Sequence, residues 1–431
     1  MMRTIRLTAA FLAFIAVSVI SFARENAETD GITLRCWGEN SVLWYNEQTD
    51  VYYISRTPYS ERKELFQFQK PDGWDSKYYT TFLMPSGDVL FVFDTQFEGG
   101  LYTDEQIAAP YSVEIDNIHR RNPIIAVASE GYAQHVIDFG DRLKPTGWLQ
   151  NCGPHYSHRY KALYFAEYTR ANLRSCNGWK VSGDLRNPDN WTIKASRPID
   201  FPYKVGTKHF HTAQEDPFSG AVYYTTGDRN AAIYASADGE TFSQLDKDDR
   251  AKWRMLNAVF TKDYMWWASD DWRANHHFWR CPRGKDGVID PEKIEDLFFF
   301  PDFGEGDSKA TYGNIYFSKF NAILFLDRWD GGKENFNDLP VYLYDIDSGR
   351  MIHLTDVHRS TACPTDIPWG FRCRAMEMHP KGDKAVISFD SLHPNDMYLP
   401  GNENGRTAVR NVVIQIKKRG KSDYELTFKP L

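Results

Sequence analysis

The chain has 431 residues, with 51 Lys and Arg against 58 Asp and Glu and a formal net charge of −7. A mildly acidic chain without a basic block argues against nucleic acid as its partner. Hydrophobic residues make up 42% and aromatics 15%. That is ample for a sizeable core, and most of the rings are expected to be core residues.

The chain opens on Arg3 and Arg6, an apolar stretch from Leu7 to Phe22, and the small-x-small step Ser21-Phe22-Ala23. This pattern predicts an export signal over residues 1–23, with a soluble periplasmic or secreted protein following. The apolar stretch is short for a membrane span, no second candidate follows, and the first cysteine, Cys36, stands too late for a lipid anchor.

Beyond residue 23, short β-rich runs recur and stop at polar or charged residues. They are VYYISR (51–56), VLFVFD (89–94), ALYFAE (162–167), AVYYTTGD (221–228), YMWWASD (264–270), ILFLDR (323–328) and AVISFD (385–390). Turn-rich segments such as MPSGD, EDPFSG and HPKGD precede most of them. A unit of short antiparallel strands repeated in this way predicts an all-β, seven-bladed β-propeller. Residues 24–431 are expected to form that single domain. Seven repeats leave about 58 residues each, more than the ~40–45 of a minimal blade, so long loops are expected, at 97–120 and 391–408 among others.

The clearest blade is 207–246, with strands KHFHTAQ, AVYYTTG, AAIYAS and TFSQL. Residues 150–198 repeat the plan, and VYLYDIDSGRMIHLT near the C-terminus reads as a hairpin. PEKIEDLF (291–298) is the one short helix candidate. Six cysteines leave Cys152 with Cys176 and Cys363 with Cys373 as candidate bridges, with free buried thiols as the alternative.

In a propeller the inner-strand starts and second-strand ends share an anterior face, and the turns between those strands share the posterior face. The anterior face is then expected to collect Arg56, Arg170, Asp270, Arg328 and Asp390. It also takes the inner-strand residues His155, His209, His211, Arg372 and Arg374. His209 and His211 share a side of one strand by period-two alternation, which suits acid–base work, and His155 is expected close to them. Arg372 and Arg374 alternate likewise, and with Arg170 and Arg328 they could bind a carboxylate. Tyr168 adds a phenol, and Trp267 an aromatic face for a sugar. His158 and Arg159 read better as turn residues. His276, His277 and Cys281 form only a fragment of a metal site. No cofactor is expected, although a structural calcium stays open. Ser236-Ala237-Asp238-Gly239-Glu240-Thr241-Phe242 is close to an Asp-box, a turn that locks neighbouring strands.

With these blades and this turn, the chain resembles the sialidase-like, Asp-box propellers. Within them it most resembles the α-L-rhamnosidase and L-rhamnose-α-1,4-D-glucuronate lyase family of gut Bacteroides. The resemblance implies action on rhamnose-capped glucuronic acid of plant arabinogalactan, by a monomer. Rhamnosidase members of that family carry one catalytic histidine on the posterior face of the first blade. The matching turn here, Asn46-Glu47-Gln48-Thr49, holds Gln48 instead, which favours an anterior lyase site. A hydrolase and a catalytically degenerate glycan-binding homologue are the alternatives.

Overall fold

Val, Ile, Tyr, Phe and Trp suit a pleated, well-packed surface, and in the computed structural model almost every such run is a strand. The structure describes residues 32–38, 40–46, 49–68, 79–84, 88–94, 123–128, 135–138, 154–166, 178–183, 192–196, 210–227, 231–248, 251–271, 276–300, 309–329, 338–359, 372–379, 381–390, 397–398, 411–420 and 423–430. Their strands form seven antiparallel sheets in a β-propeller arrangement.

Sheet 1 contains Ile32–Trp37, Val42–Asn46, Val51–Ser55 and Lys63–Gln67. Sheet 2 contains Tyr79–Leu83, Val89–Asp94, Pro123–Ala128 and His135–Asp138. Sheet 3 contains Pro154–Ser157, Ala162–Ala166, Gly178–Ser182 and Thr192–Ser196. Sheet 4 contains Phe210–Glu215, Val222–Thr226, Ala231–Ser236 and Ser243–Asp248. Sheet 5 contains Val259–Phe260, Tyr264–Ala268, His277–Pro282 and Glu295–Phe299.

Sheet 6 contains Lys309–Phe317, Ala322–Trp329, Asp338–Asp345 and Arg350–Arg359. It gains Asp270–Asp271 at its inner edge and Met397–Tyr398 at its outer edge. Sheet 7 contains Arg372–Met378, Lys384–Asp390, Asn411–Lys418 and Tyr424–Pro430. In each sheet these four strands pair in chain order.

Among the described residues the first strands of sheets 1 and 2, 3 and 4, 5 and 6, 6 and 7, and 7 and 1 touch one another, so first strands are the inner strands. The ring closes between sheets 7 and 1 by packing. Leu34, Trp37, Val42 and Trp44 of sheet 1 meet Val386 and Val413 of sheet 7 in one buried cluster. Trp37 also sets an edge against His379, with ring centroids 4.9 Å apart. Similar clusters of described residues fill the seams between sheets 1 and 2, 3 and 4, 4 and 5, 5 and 6, and 6 and 7. Tyr223 and Phe260 sit between sheets 4 and 5, and Phe278 and Phe325 between sheets 5 and 6. Most described aromatics are thus core residues, as expected.

Three sequence expectations change. VYYISR proves to be the third strand of sheet 1, because Ile32–Trp37 adds a strand upstream. Strands alternate in direction, so Arg56 follows a posterior strand end and does not reach the anterior face. PEKIEDLF is only one 3₁₀ turn, Pro291–Lys293, capped by Asp290 and followed at once by strand Glu295–Phe299. No helix among the described residues is long and apolar enough to cross a membrane.

The Asp-box turn forms as its sequence predicts. Asp238 Oδ1 accepts bonds from the Glu240 and Thr241 amides and the Ser236 hydroxyl, each 2.8 Å. Those donors hold its carboxyl down at about 2. Phe242 then enters the core beside Tyr224. From sheet 3, Tyr164 donates to the Gly239 carbonyl at 3.1 Å and Lys180 pairs with Glu240, so the turn also ties two sheets together.

Candidate functional site

Among the described residues four inner strands carry a β-bulge, one extra residue that the second strand does not match, and three of the four share a register. In sheet 4, Phe210 pairs with Thr226 and Thr212 with Thr225, which leaves His211 as the extra residue. In sheet 6 the flanking pairs are Thr311–Asp327 and Gly313–Leu326, and the extra residue is Tyr312. In sheet 7 they are Cys373–Phe389 and Ala375–Ser388, and the extra residue is Arg374.

The three positions are equivalent. The last pairs before the posterior turns are Asp216 with Ala221, Phe317 with Ala322, and His379 with Lys384. Each bulged residue lies five residues before that pair. His211, Tyr312 and Arg374 therefore occupy one level of the inner wall, towards the anterior end. A fourth bulge, at Arg35 in sheet 1, lies only two residues before its last pair, Trp37 with Val42. Bulges re-aim a side chain and end regular pairing, and they concentrate beside active sites.

His211 is buried, at 3% exposure, and its Nε2 stands 3.7 Å from Asp270 Oδ2. That is an ion-pair distance, too long for a hydrogen bond. Asp270 begins the short segment that leaves sheet 5. Its amide donates to the Arg254 carbonyl at 2.5 Å, and its backbone pairs with Ala310 of sheet 6. The carboxylate facing His211 is thus held on a strut that joins sheets 4, 5 and 6.

The posterior end has its own histidine. His155 Nε2 lies 3.4 Å from Glu215 Oε2, across sheets 3 and 4. Burial pushes the Glu215 carboxyl up, but bonds from His155 and Ser157 and the charges of His155 and Arg159 outweigh it, so it stays below its ordinary range. Beside it, burial and then the charge of His155 lower the His158 imidazole. His158 and Arg159 do form the turn between the first two strands. Arg159 donates to the Ser219 carbonyl, and Tyr160 to the Gly220 carbonyl at 2.9 Å.

The expected gathering of His155 with His211 does not occur. Glu215, the partner of His155, lies four residues beyond His211 on the same strand, about 13 Å along it at ~3.3 Å per residue. Trp267 is also corrected. It is fully buried, stacked on Trp253 at 5.3 Å, and donates to the Lys252 carbonyl at 2.7 Å, so it offers no face to a sugar.

Gln48 itself lies outside the described residues, but its turn does not lie where expected. Asn46 pairs with Val51, so the turn joins the second and third strands and belongs to the anterior end. The comparison of Gln48 with a posterior catalytic histidine does not hold.

His209, Tyr168 and Arg170 lie outside the described residues. Arg328 and Arg372 are strand residues opposite Ala310 and Asp390. The alternation that joined Arg372 to Arg374 runs through a bulge and fails there. His276, His277 and Cys281 are engaged elsewhere: His276 stacks on Phe300 at 4.4 Å, His277 pairs with Asp296 at 2.8 Å, and Cys281 donates to the Asp290 carbonyl at 3.1 Å. Burial pushes the Cys281 thiol up to about 12, so it is a core residue. No three His, Cys, Asp or Glu among the described residues gather as a cation would require.

Sequence reasoning missed Tyr312, although a signal was present. Gly313 follows it inside a strand, and a glycine there marks a bulge.

The fold defines a β-propeller protein with a candidate site at its inner wall. No protein-family model and no curated protein matches the chain. A puromycin-hydrolysing peptidase of Mycobacterium tuberculosis is similar in structure, with TM-score 0.50 and 12% identity over 92% of this chain and 53% of that one. This chain thus spans about half the peptidase's length. A periplasmic gluconolactonase of Pseudomonas aeruginosa has TM-score 0.49 and 11% identity, over 92% and 98% of the two chains. A putative 6-phosphogluconolactonase of Bacteroides uniformis has TM-score 0.47 and 10% identity, over 93% and 96%. At these identities the likeness concerns the fold alone.

Proposed function

We propose that the protein is an exported, carbohydrate-active enzyme of the seven-bladed rhamnosidase and rhamnose–glucuronate lyase type. It cleaves rhamnose from 4-linked glucuronate of plant arabinogalactan by β-elimination at its anterior site. The observation that carries this reading is the shared inner-wall level of His211 and Arg374, with Asp270 facing the imidazole.

β-Elimination needs a group that neutralises the carboxylate, a base for the proton at C5 and an acid for the oxygen leaving C4. Arginine serves the first need, with Arg372, Arg374 and Arg328 as the candidates. His211 serves the second, and Asp270 opposite it favours the imidazolium that forms. The test is absorbance of a 4,5-unsaturated uronate after incubation with rhamnosyl-glucuronate. Release of saturated glucuronic acid would instead mark a hydrolase.

A hydrolytic reading draws on one observation, the His155–Glu215 pair at the posterior end. It predicts saturated products whose formation His155→Ala abolishes and His211→Gln spares.

A further inference from the structure

A row of rings runs through sheet 5 and reaches the surface where the function just proposed makes no use of it. Trp253 stacks on Trp267 at 5.3 Å, Trp267 leans on Trp279 at 6.2 Å, and Trp279 stacks on His277 at 5.3 Å. The His277 ring then meets Phe299 edge-on at 4.9 Å. Exposure rises along the row, from 0% at Trp253 and Trp267 through 7% at Trp279 to 47% at Phe299. An exposed phenylalanine is ordinary when it stands alone, but this one ends a close-packed stack.

A bulge assembles the exposed end of the row. His277 pairs with Phe299 and Trp279 with Asp296, which leaves Leu297 as the extra residue of the outermost strand. Three residues apart, Asp296 and Phe299 would face opposite ways in a regular strand. The bulge turns both to the side that carries His277 and Trp279. Phe278, Leu297 and Phe298 pack the other way, in the cluster shared with sheet 6. His277 Nδ1 stands 2.8 Å from Asp296 Oδ2, and that carboxylate is half exposed. One imidazole thus touches both an open aromatic ring and an open carboxylate. His277 begins the third strand and Phe299 ends the fourth, so the patch lies at the anterior end, on the outer margin of the blade.

A pyranose offers a face of C–H groups that packs on an aromatic ring, and an edge of hydroxyls that donate to a carboxylate. The Asp296 carboxylate repels an anionic sugar, so the sugar that fits is neutral. Packing beneath Phe299 fixes its ring before a ligand arrives, so little ordering is lost on binding.

We propose that Phe299, His277 and Asp296 form a surface site for a neutral sugar residue of the polysaccharide; this rests on the carbohydrate reading above. The site retains the polymer at the rim of the anterior end and takes no part in bond cleavage at the inner wall.

The test is calorimetric titration of wild type and Phe299→Ala with a neutral β-galactan and with polygalacturonate. Turnover of rhamnosyl-glucuronate, melting temperature and sedimentation are measured on both proteins. Wild type is expected to bind the galactan and not polygalacturonate. Phe299→Ala should raise the Kd for galactan about tenfold, with turnover and melting temperature unchanged. Equal affinity of the two proteins for galactan, or of wild type for the two polymers, would overturn the site. A parallel loss of turnover would overturn it too, by placing Phe299 in the reacting site or in the fold. A dimer that Phe299→Ala dissolves would make the patch a contact between copies instead. Turnover without galactan binding removes the surface site alone, whereas galactan binding without turnover keeps the site and sinks the lyase reading.

Discussion

The two ends of the propeller use polar residues in opposite ways. At the posterior end they seal the ring. Asp216 is wholly buried and pairs with Arg283, whose guanidinium also donates to the Thr261 carbonyl at 2.6 Å, binding the turns of sheets 4 and 5. The Ser219 hydroxyl adds a 2.6 Å bond to the same carboxylate. Lys319 donates its amide to the Gly382 carbonyl at 3.2 Å and so links the turns of sheets 6 and 7. At the anterior end the notable residues arise where strands depart from regularity, at His211, Tyr312 and Arg374. Regular turns consume their polar groups in holding sheets together, whereas bulges leave residues in places that pairing does not dictate.

The sharpest way to break this contrast is to open the posterior seal. Arg283→Ala leaves Asp216 charged and buried, and should cost about 3–5 kcal/mol in urea unfolding. The change should leave turnover per folded molecule intact. An equal fall in both would mean that the two ends are not separable. Converting both partners to apolar residues should recover part of the loss, because no charge is then stranded.

At the anterior end the expectation reverses. His211→Gln should lower the rate of uronate elimination by about 10²–10⁴-fold while costing only about 1–2 kcal/mol, read by paired kinetics and denaturation. A large stability loss with little kinetic effect would make the His211–Asp270 pair another seal.

Acid gives a milder probe of the seams. The Asp238 carboxyl is held from 3.8 down to about 2, so its contribution is fully present above pH 3.8 and fades as pH falls through about 2. Glu215, also held low, acts in the same sense. Asp238→Asn should flatten the acid limb of a melting-temperature profile, and an unchanged limb would show that the turn adds nothing to it.

The smallest effect concerns one posterior turn. Lys161 sits at φ 48, where the equivalent residue of the sheet 4 turn is Gly220 at φ 84. Left-handed backbone costs a lysine about 1–2 kcal/mol, part of which glycine gives back through its freer unfolded chain. Lys161→Gly should therefore raise stability by about 0.5–1 kcal/mol, seen as a small rise in melting temperature.

Strand runs and turn chemistry are local properties, so residues 207–246 are legible from their residues alone as a four-stranded sheet with its Asp-box. Six of the seven runs are second strands for the same reason. VYYISR departs from them because Ile32–Trp37 (ITLRCW) lacks the long apolar run of its neighbours, and one uncounted strand reverses the face of everything after it in that sheet. That single strand accounts for both Arg56 and the turn of Gln48 standing at the ends opposite to those the runs suggest.

Local pattern suffices to show that the chain is all-β, built of repeated short strands with polar ends, and it marks the histidines and arginines as candidates. Assembly of the sheets was needed to pair His155 with Glu215 and His211 with Asp270, and to assign Trp267 to the core. The difference comes down to register. Alternation tells which side of a strand a residue takes, but a bulge breaks alternation, and only pairing with the next strand shows where the extra residue lies.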